Sequence, residues 1–400
     1  DLGKLSEAIQ SYKTAIKLQS NHANAYHNLG NTFKEMGDFK KAEDSYVKAF
    51  TYQPTNLETL DTLCSLNENK LDLNLVKNIK STMKNKNLSK KDFAYGNFLL
   101  AKYALKNSNY EEEFNYLIEG HKNYFNHKKK YFQKGLDYWL NDVPQLKELM
   151  SLGQSIEKIK DINAVKPIFI IGVPRSGSTL VEKVLASGSL SIPIGEETGI
   201  ISFYVAANIL KKKSVKLNIN NIYKNVLEKY KTLNLINEKN DYVFTDKSLD
   251  NFFFVGLIKE IFPKAKIVNC RRNPMSSIIS ILKNNLGDVA WAHDLKSIFK
   301  YFDIYYQKIN SFKEKFPKSI YDIQLEKFVQ NPEEESKKLM NFCNLKWDIK
   351  CLEYYKRKDL TSRTASNVQI RKPIYKDTKQ KYYVYEQFLQ KYSKRYFWFN

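Results

Sequence analysis

The spacing of apolar residues changes character once along this chain of 400 residues. Up to about residue 150 it is helical, with apolar positions three and four apart. Around residue 166 a short unbroken run, Pro167-Ile168-Phe169-Ile170-Ile171, takes over, as expected of a buried strand. Strands are predicted at 167–172, 242–245, 265–270 and 318–323, alternating with helices that open near Ser178, Pro274 and Asp294. In the last of these helices Leu295, Phe299, Phe302, Tyr306 and Ile309 form an apolar stripe that belongs to the core. Such alternation predicts a mainly parallel sheet with its ligand at the carboxyl ends of the strands. No apolar run approaches the ~20 residues of a membrane span, so the chain reads as soluble.

Within the helical part, shifting the sequence by 34 residues aligns Gly3 with Gly37, Ala8 with Ala42, Tyr12 with Tyr46 and Ala15 with Ala49. That period is the tetratricopeptide (TPR) period. Residues 23–56 resemble the TPR family through Leu29-Gly30, Phe33, Ala42, Tyr46, Ala49 and Pro54. Asp1 enters midway through a repeat, which implies at least one helix upstream. Later copies decay: Leu63 and Cys64 stand at the Leu-Gly position, and Leu100-Ala101, Tyr110 and Leu117 keep only the spacing. The expected organisation is TPR repeats over 1–56, degenerate helical repeats and a linker over 57–160, and one further domain over 161–400. Solenoids build surfaces rather than chemistry, so the repeats are expected to serve a protein partner or self-association. Lys128-Lys129-Lys130, interleaved with Tyr124, Phe125, Tyr131 and Phe132, reads as a solvated helix face over buried aromatics, and no nucleic-acid partner is expected.

Composition adds one sharp signal. The chain holds 65 Lys and Arg against 43 Asp and Glu, a net charge of +22, and its 42% of hydrophobic residues excludes wholesale disorder. Residues 1–200 carry +4 of that charge and residues 201–400 carry +18, so an anion site is expected in the second half. Only seven residues are Arg (175, 271, 272, 357, 363, 371 and 395), and four of them, 175, 271, 272 and 371, fall in the motifs described next. Four cysteines, none in a CxxC pair, are too few for a disulfide scaffold and point to a reducing, cytoplasmic setting.

After the strand at 167–172 comes Gly172-Val173-Pro174-Arg175-Ser176-Gly177-Ser178-Thr179, with glycines at phosphate-loop spacing. Ser178 replaces the lysine that would reach the β- and γ-phosphates, which argues against ATP or GTP hydrolysis. What remains is an anion cradle of loop N–H groups, the hydroxyls of Ser176, Ser178 and Thr179, and the guanidinium of Arg175. A second element, Cys270-Arg271-Arg272-Asn273-Pro274 continuing to Ser280, offers a guanidinium and a hydroxyl where a strand meets a helix.

The run PRSGSTL resembles the 5′-phosphosulfate loop of sulfotransferases that use 3′-phosphoadenosine 5′-phosphosulfate (PAPS), and the chain as a whole is similar to tyrosylprotein sulfotransferases and their relatives with N-terminal TPR repeats. The resemblance implies all-α TPR-like repeats followed by an α/β P-loop-like sulfotransferase domain. It assigns Arg175, Ser176, Gly177, Ser178 and Thr179 to the phosphosulfate, and Arg272 and Ser280 to the 3′-phosphate. Glu197, the second Glu of Gly195-Glu196-Glu197-Thr198, inherits the role of general base on the acceptor hydroxyl. Lys247 falls where the family has its catalytic Lys. Near the chain's end, Arg363 through Pro373 resembles the segment that closes over PAPS, with Ser366 as a catalytic contact and Arg371 and Lys372 on the phosphates. PAPS is then the sulfuryl donor, its diphosphate PAP the product, and no metal is implied. Two positions depart from the family: Leu325 stands where a Tyr often lies near the nucleotide, and Asn284 replaces a basic residue for which Lys283 is expected to compensate. His293 is a lesser candidate base than Glu197. The residues leave two other classes open, a P-loop kinase or NTPase and a non-catalytic TPR adaptor. They do not choose among protein tyrosine, glycan and small metabolite as acceptor, although the basic half favours an acidic one.

Overall fold

The computed structural model describes residues 2–146, 165–210, 218–236, 242–357, 359–360, 362, 364, 366–374 and 382–399. The end of the proposed linker, 147–160, and Arg363 lie outside the described residues. Eight helices come first: α1 (Leu2–Leu18), α2 (Ala23–Met36), α3 (Phe39–Tyr52), α4 (Leu57–Leu66), α5 (Leu73–Met83), α6 (Lys90–Lys106), α7 (Tyr110–His127) and α8 (Lys129–Asp137). His22, Asp38, Asn56, Asp72, Ser89 and Asn109 cap α2 to α7 in turn, each side chain accepting the backbone N–H three residues on. The repeat is therefore written in its caps as well as its core. Tyr46, fully buried, lays its ring on Gly30, which is why a small residue faces a large one at this spacing.

The second part alternates as the apolar pattern predicts. Its elements are β1 (Lys166–Gly172), α9 (Ser178–Ala186), α10 (Ile200–Val205), α11 (Ile219–Thr232), β2 (Val243–Asp246), α12 (Val255–Ile261), β3 (Lys266–Arg271), α13 (Pro274–Asn284), α14 (Leu295–Lys315), β4 (Ile320–Gln324), α15 (Leu325–Gln330), α16 (Pro332–Phe342) and α17 (Glu386–Ser393). The four strands pair in parallel in the order β2-β1-β3-β4. Alternate residues of β1 serve opposite faces: Ile168 and Ile170 pack towards α9 and α16, and Phe169 and Ile171 towards the helices on the other side. The loop after β1 thus emerges at the carboxyl edge, between β2 and β3.

The second core does not stop at the domain boundary. One cluster of buried apolar residues runs from Tyr46 and Leu60 through Phe98 and Phe132 to Phe252, Ile278 and Phe299. Polar ties follow one side of α7 along the same seam. Glu113 binds Lys283 at 2.9 Å and accepts from Tyr385, His121 Nε2 binds the Leu282 carbonyl at 2.8 Å, and Lys128 donates to Gly287 O and Asp288 Oδ1. Lys128 is therefore an anchor, while Tyr124 and Phe132 beside it are buried as expected.

His121 Nδ1 lies 3.0 Å from His293 Nδ1 in this seam, and the His293 ring packs against those of Tyr124 and Phe132. Burial holds the imidazole of His121 down to about 4. Burial, His121 and Lys128 together hold that of His293 down to about 2. An unfolded chain would take up protons near 6.5, so the pair's contribution is complete above pH 6.5 and is lost as the pH falls towards 4. Denaturant unfolding between pH 7.5 and 5 should show stability declining by up to about 1.4 kcal/mol per pH unit for each imidazole. His293→Phe should flatten that slope, and an unchanged slope would contradict a neutral pair.

Candidate active site

The loop from β1 to α9 owes its shape to three residues in unusual backbone regions: Gly172 at φ 147°, Arg175 at φ 68° and Gly177 at φ 89°. Gly177 caps α9, so Ser178 and Thr179 occupy the first turn, where N–H groups face outwards and favour an anion. The Ser176 hydroxyl is buried without a hydrogen-bond partner among the described residues. A site built for phosphate or sulfate oxygens leaves such donors waiting.

Arg175 gathers the separate motifs. Its Nε donates to Ser280 Oγ at 2.9 Å, its Nη1 to Ser366 Oγ at 2.8 Å and its Nη2 to Gln369 Oε1 at 3.2 Å. One guanidinium therefore joins the loop, α13 and the C-terminal segment. Arg272 supports it from below, donating Nη1 to the Arg175 carbonyl at 3.1 Å while its face covers the Tyr382 ring. The neighbouring arginine does something else. Arg271 pairs with Asp322 at 3.2 Å and stacks on Tyr306, so it belongs to the β3–β4 packing and not to the anion loop. Consecutive strand residues face opposite ways, and this separates the pair.

Lys247 follows β2 and is 1% exposed. Its N–H donates to Gly195 O at 2.8 Å and its carbonyl accepts from Glu197 N at 3.2 Å, which locks Gly195-Glu196-Glu197 alongside it. Its ammonium lies 3.5 Å from Glu196 Oε1. Burial alone would lower its pKa, but Glu182, Glu196 and Glu197 around it raise it above the ordinary value, so the charge is kept. Glu197 is the exposed member of this group and sits at φ 54°. Two of the assigned catalytic residues, Arg175 and Glu197, thus occupy left-handed backbone that non-glycine residues avoid.

Residues that motif spacing did not single out complete the floor. Glu196 Oε1 accepts from Ser362 Oγ at 2.8 Å, Ser362 lies 3.0 Å from Thr364 Oγ1, and Thr364 lies 3.2 Å from Thr179 Oγ1. A hydrogen-bonded line therefore runs from the loop helix to Lys247. Its sequence signal was the cluster of hydroxyls just before Ser366. Buried Glu182 accepts from Thr245 Oγ1 at 2.9 Å, and that hydroxyl accepts from Gly195 N at 3.3 Å. Asp246 is fully buried and accepts from Tyr230, Thr198, Ser248 and Asn251.

Not every expected residue joins the cluster. Lys283 is taken by Glu113 and Tyr385 in the seam, so it does not compensate for Asn284, which instead bonds the Ser280 carbonyl. Lys372 is exposed, and its carbonyl accepts from Tyr354. Arg371 packs against Gly37 of the repeats, with Nε and Nη2 buried and unpartnered among the described residues. Leu325 lies against Gly177, so an apolar side chain stands beside the loop where an aromatic one was looked for. His293 is sealed in the seam and offers no base to this site.

Comparison with known proteins agrees with this architecture. Residues 167–349 match the model of the sulfotransferase family, residues 1–37 a TPR repeat model and residues 23–56 the tetratricopeptide repeat model. The chain carries TPR repeats and a sulfotransferase-family domain. A protein of Aquifex aeolicus (strain VF5), described only as uncharacterized, is 32% identical over 240 residues, 56% of this chain and 31% of its own length. The chain thus spans less than a third of that relative. Solved structures similar to it include the sulfotransferase domain from the curacin biosynthetic pathway, with TM-score 0.41, 17% identity and coverage of 54% of this chain and 89% of that one. Another is the sulfotransferase domain from the Synechococcus PCC 7002 olefin synthase, with TM-score 0.39, 17% identity and coverage of 54% and 86%.

The polar network behind the sulfotransferase-domain site makes a direct prediction. Asp246→Ala strands five donor groups on four residues and should lower unfolding stability by about 3 kcal/mol or more in denaturant titration. A loss below about 1 kcal/mol would show that the network does not hold β2 and the Glu196-Glu197 turn together.

Proposed function

We propose that the protein is a sulfotransferase that moves a sulfuryl group from PAPS to an acceptor hydroxyl. The observation that carries this reading is the convergence on Arg175 of three elements separated by 105 and 191 residues, Ser280 on α13 and Ser366 near the C-terminus among them. In this reading the loop N–H groups with Ser176, Gly177, Ser178 and Thr179 hold the 5′-phosphosulfate, Arg272 and Ser280 hold the 3′-phosphate, and Arg371 and Lys372 add positive charge. The buried orphan donors of Ser176 and Arg371 fit a polyanionic ligand. Glu197 takes the acceptor proton, and the freed oxygen attacks sulfur in line. The bond from sulfur to the 5′-phosphate oxygen then breaks, and PAP leaves. Arg175, Lys247 and Ser366 stabilise charge on the transferring group and the bridging oxygen.

The acceptor class stays broad: protein tyrosine, glycan or small metabolite, with the basic second half favouring acidic examples. Labelled PAPS offered to separated peptide, glycan and metabolite pools identifies it. Glu197→Gln should cut transfer by about 10²–10⁴-fold while PAP binding stays within twofold; unchanged turnover would sink the base assignment. Arg272→Ala should weaken PAP far more than 5′-AMP in calorimetry, and equal losses would remove the 3′-phosphate role. Stabilisation by magnesium-ATP in preference to PAP would favour the kinase-like alternative.

A further inference from the structure

Two contacts cross from the C-terminal segment to the first complete repeat, at the corner between α2 and α3. Asn367 is 5% exposed and donates Nδ2 to the carbonyl of Lys34 at 2.9 Å, across 333 residues of chain. That carbonyl belongs to the last turn of α2, where no helical N–H follows to satisfy it fully; it also accepts from Gly37 N at 3.0 Å. Four residues on, the Arg371 guanidinium lies over Gly37. A Cβ there would stand 3.1 Å from Cζ and 3.2 Å from Nε, and Gly37 holds φ 84°.

The segment is two-sided. Ser366 and Gln369 face Arg175, while Asn367 and Arg371 face the repeat. Backbone bonds from Asn367 N to Thr364 O and from Ile370 N to Ser366 O make this stretch a single turn, so its two sides move together. We infer that the α2–α3 corner braces the donor site, and that Asn367 and Gly37 are positioning residues that hold the turn carrying Ser366 and Gln369 against Arg175. This rests on the PAPS reading above, since it concerns what the same segment binds.

The repeats would then contribute to donor affinity without touching the donor. In hydrogen–deuterium exchange on the unmodified protein, PAP should slow exchange both in peptides covering 366–374 and in peptides covering 33–38, whose Gly37 and Asp38 amides are bonded within the corner. Protection confined to residues after 165 would overturn the inference. Asn367→Leu keeps the bulk and removes the donor. It should weaken PAP about fivefold or more in calorimetry with the thermal midpoint nearly unchanged; Gly37→Ala, made from the repeat side, should weaken it in the same direction. PAP binding within twofold of the parent in either variant would also overturn the inference. A parent protein that fails to bind PAP fails the donor reading itself, which separates the two failures.

Discussion

An ammonium buried to 1% exposure has to be surrounded by negative charge, and Lys247 sets that requirement at the end of β2. Glu196 answers it directly, and Glu182 answers from α9 while accepting from Thr245. Meeting the requirement also fixes the backbone, because the Glu196-Glu197 turn is hydrogen-bonded edge to edge with Lys247. Glu197, the exposed member of the group, faces solvent. Through Ser362 and Thr364 the same cluster reaches the first turn of α9, and so the anion loop.

Much of this was legible in the sequence, for definite reasons. The repeat is legible where a small residue must face a large one, as Gly30 faces Tyr46, and it fades where Cys64 takes the small position. The strand at 166–172 was visible because both its faces are buried, which demands a continuous apolar run. Arg272, just after β3, and Ser280, inside α13, both meet Arg175, one at its carbonyl and the other at its Nε. What spacing could not show were contacts between distant elements: Glu182 with Thr245, Ser362 with Glu196, Lys283 with Glu113. Arg271 is the instructive case. Adjacency in sequence suggested shared purpose, and strand alternation gave its two members different partners.

The boundary between repeats and α/β domain was drawn from the change in apolar spacing around residue 166, and spacing marks a change of element type, not an end of packing. The cores, however, merge. α7 offers one side to its repeat neighbour α6 and another to α13 and the Ala290–His293 turn, so it serves both halves. Glu113 and His121 are buried in that seam and bonded to partners from the opposite half. They specify one docking geometry where apolar contact alone would tolerate several.

The left-handed backbone at Arg175 and Glu197 has a consequence for engineering. Each holds a side chain in a region that costs an L-residue about 1–2 kcal/mol, so glycine at either position would release that strain while removing a side chain that the proposed reaction uses. Ser108, Asn234, Tyr242, Asn285 and Asn344 share this backbone region, and a search for more stable variants would meet these two positions among them. Thermostability selected without an activity screen would therefore favour inert scaffolds, and the two goals have to be pursued together in this molecule.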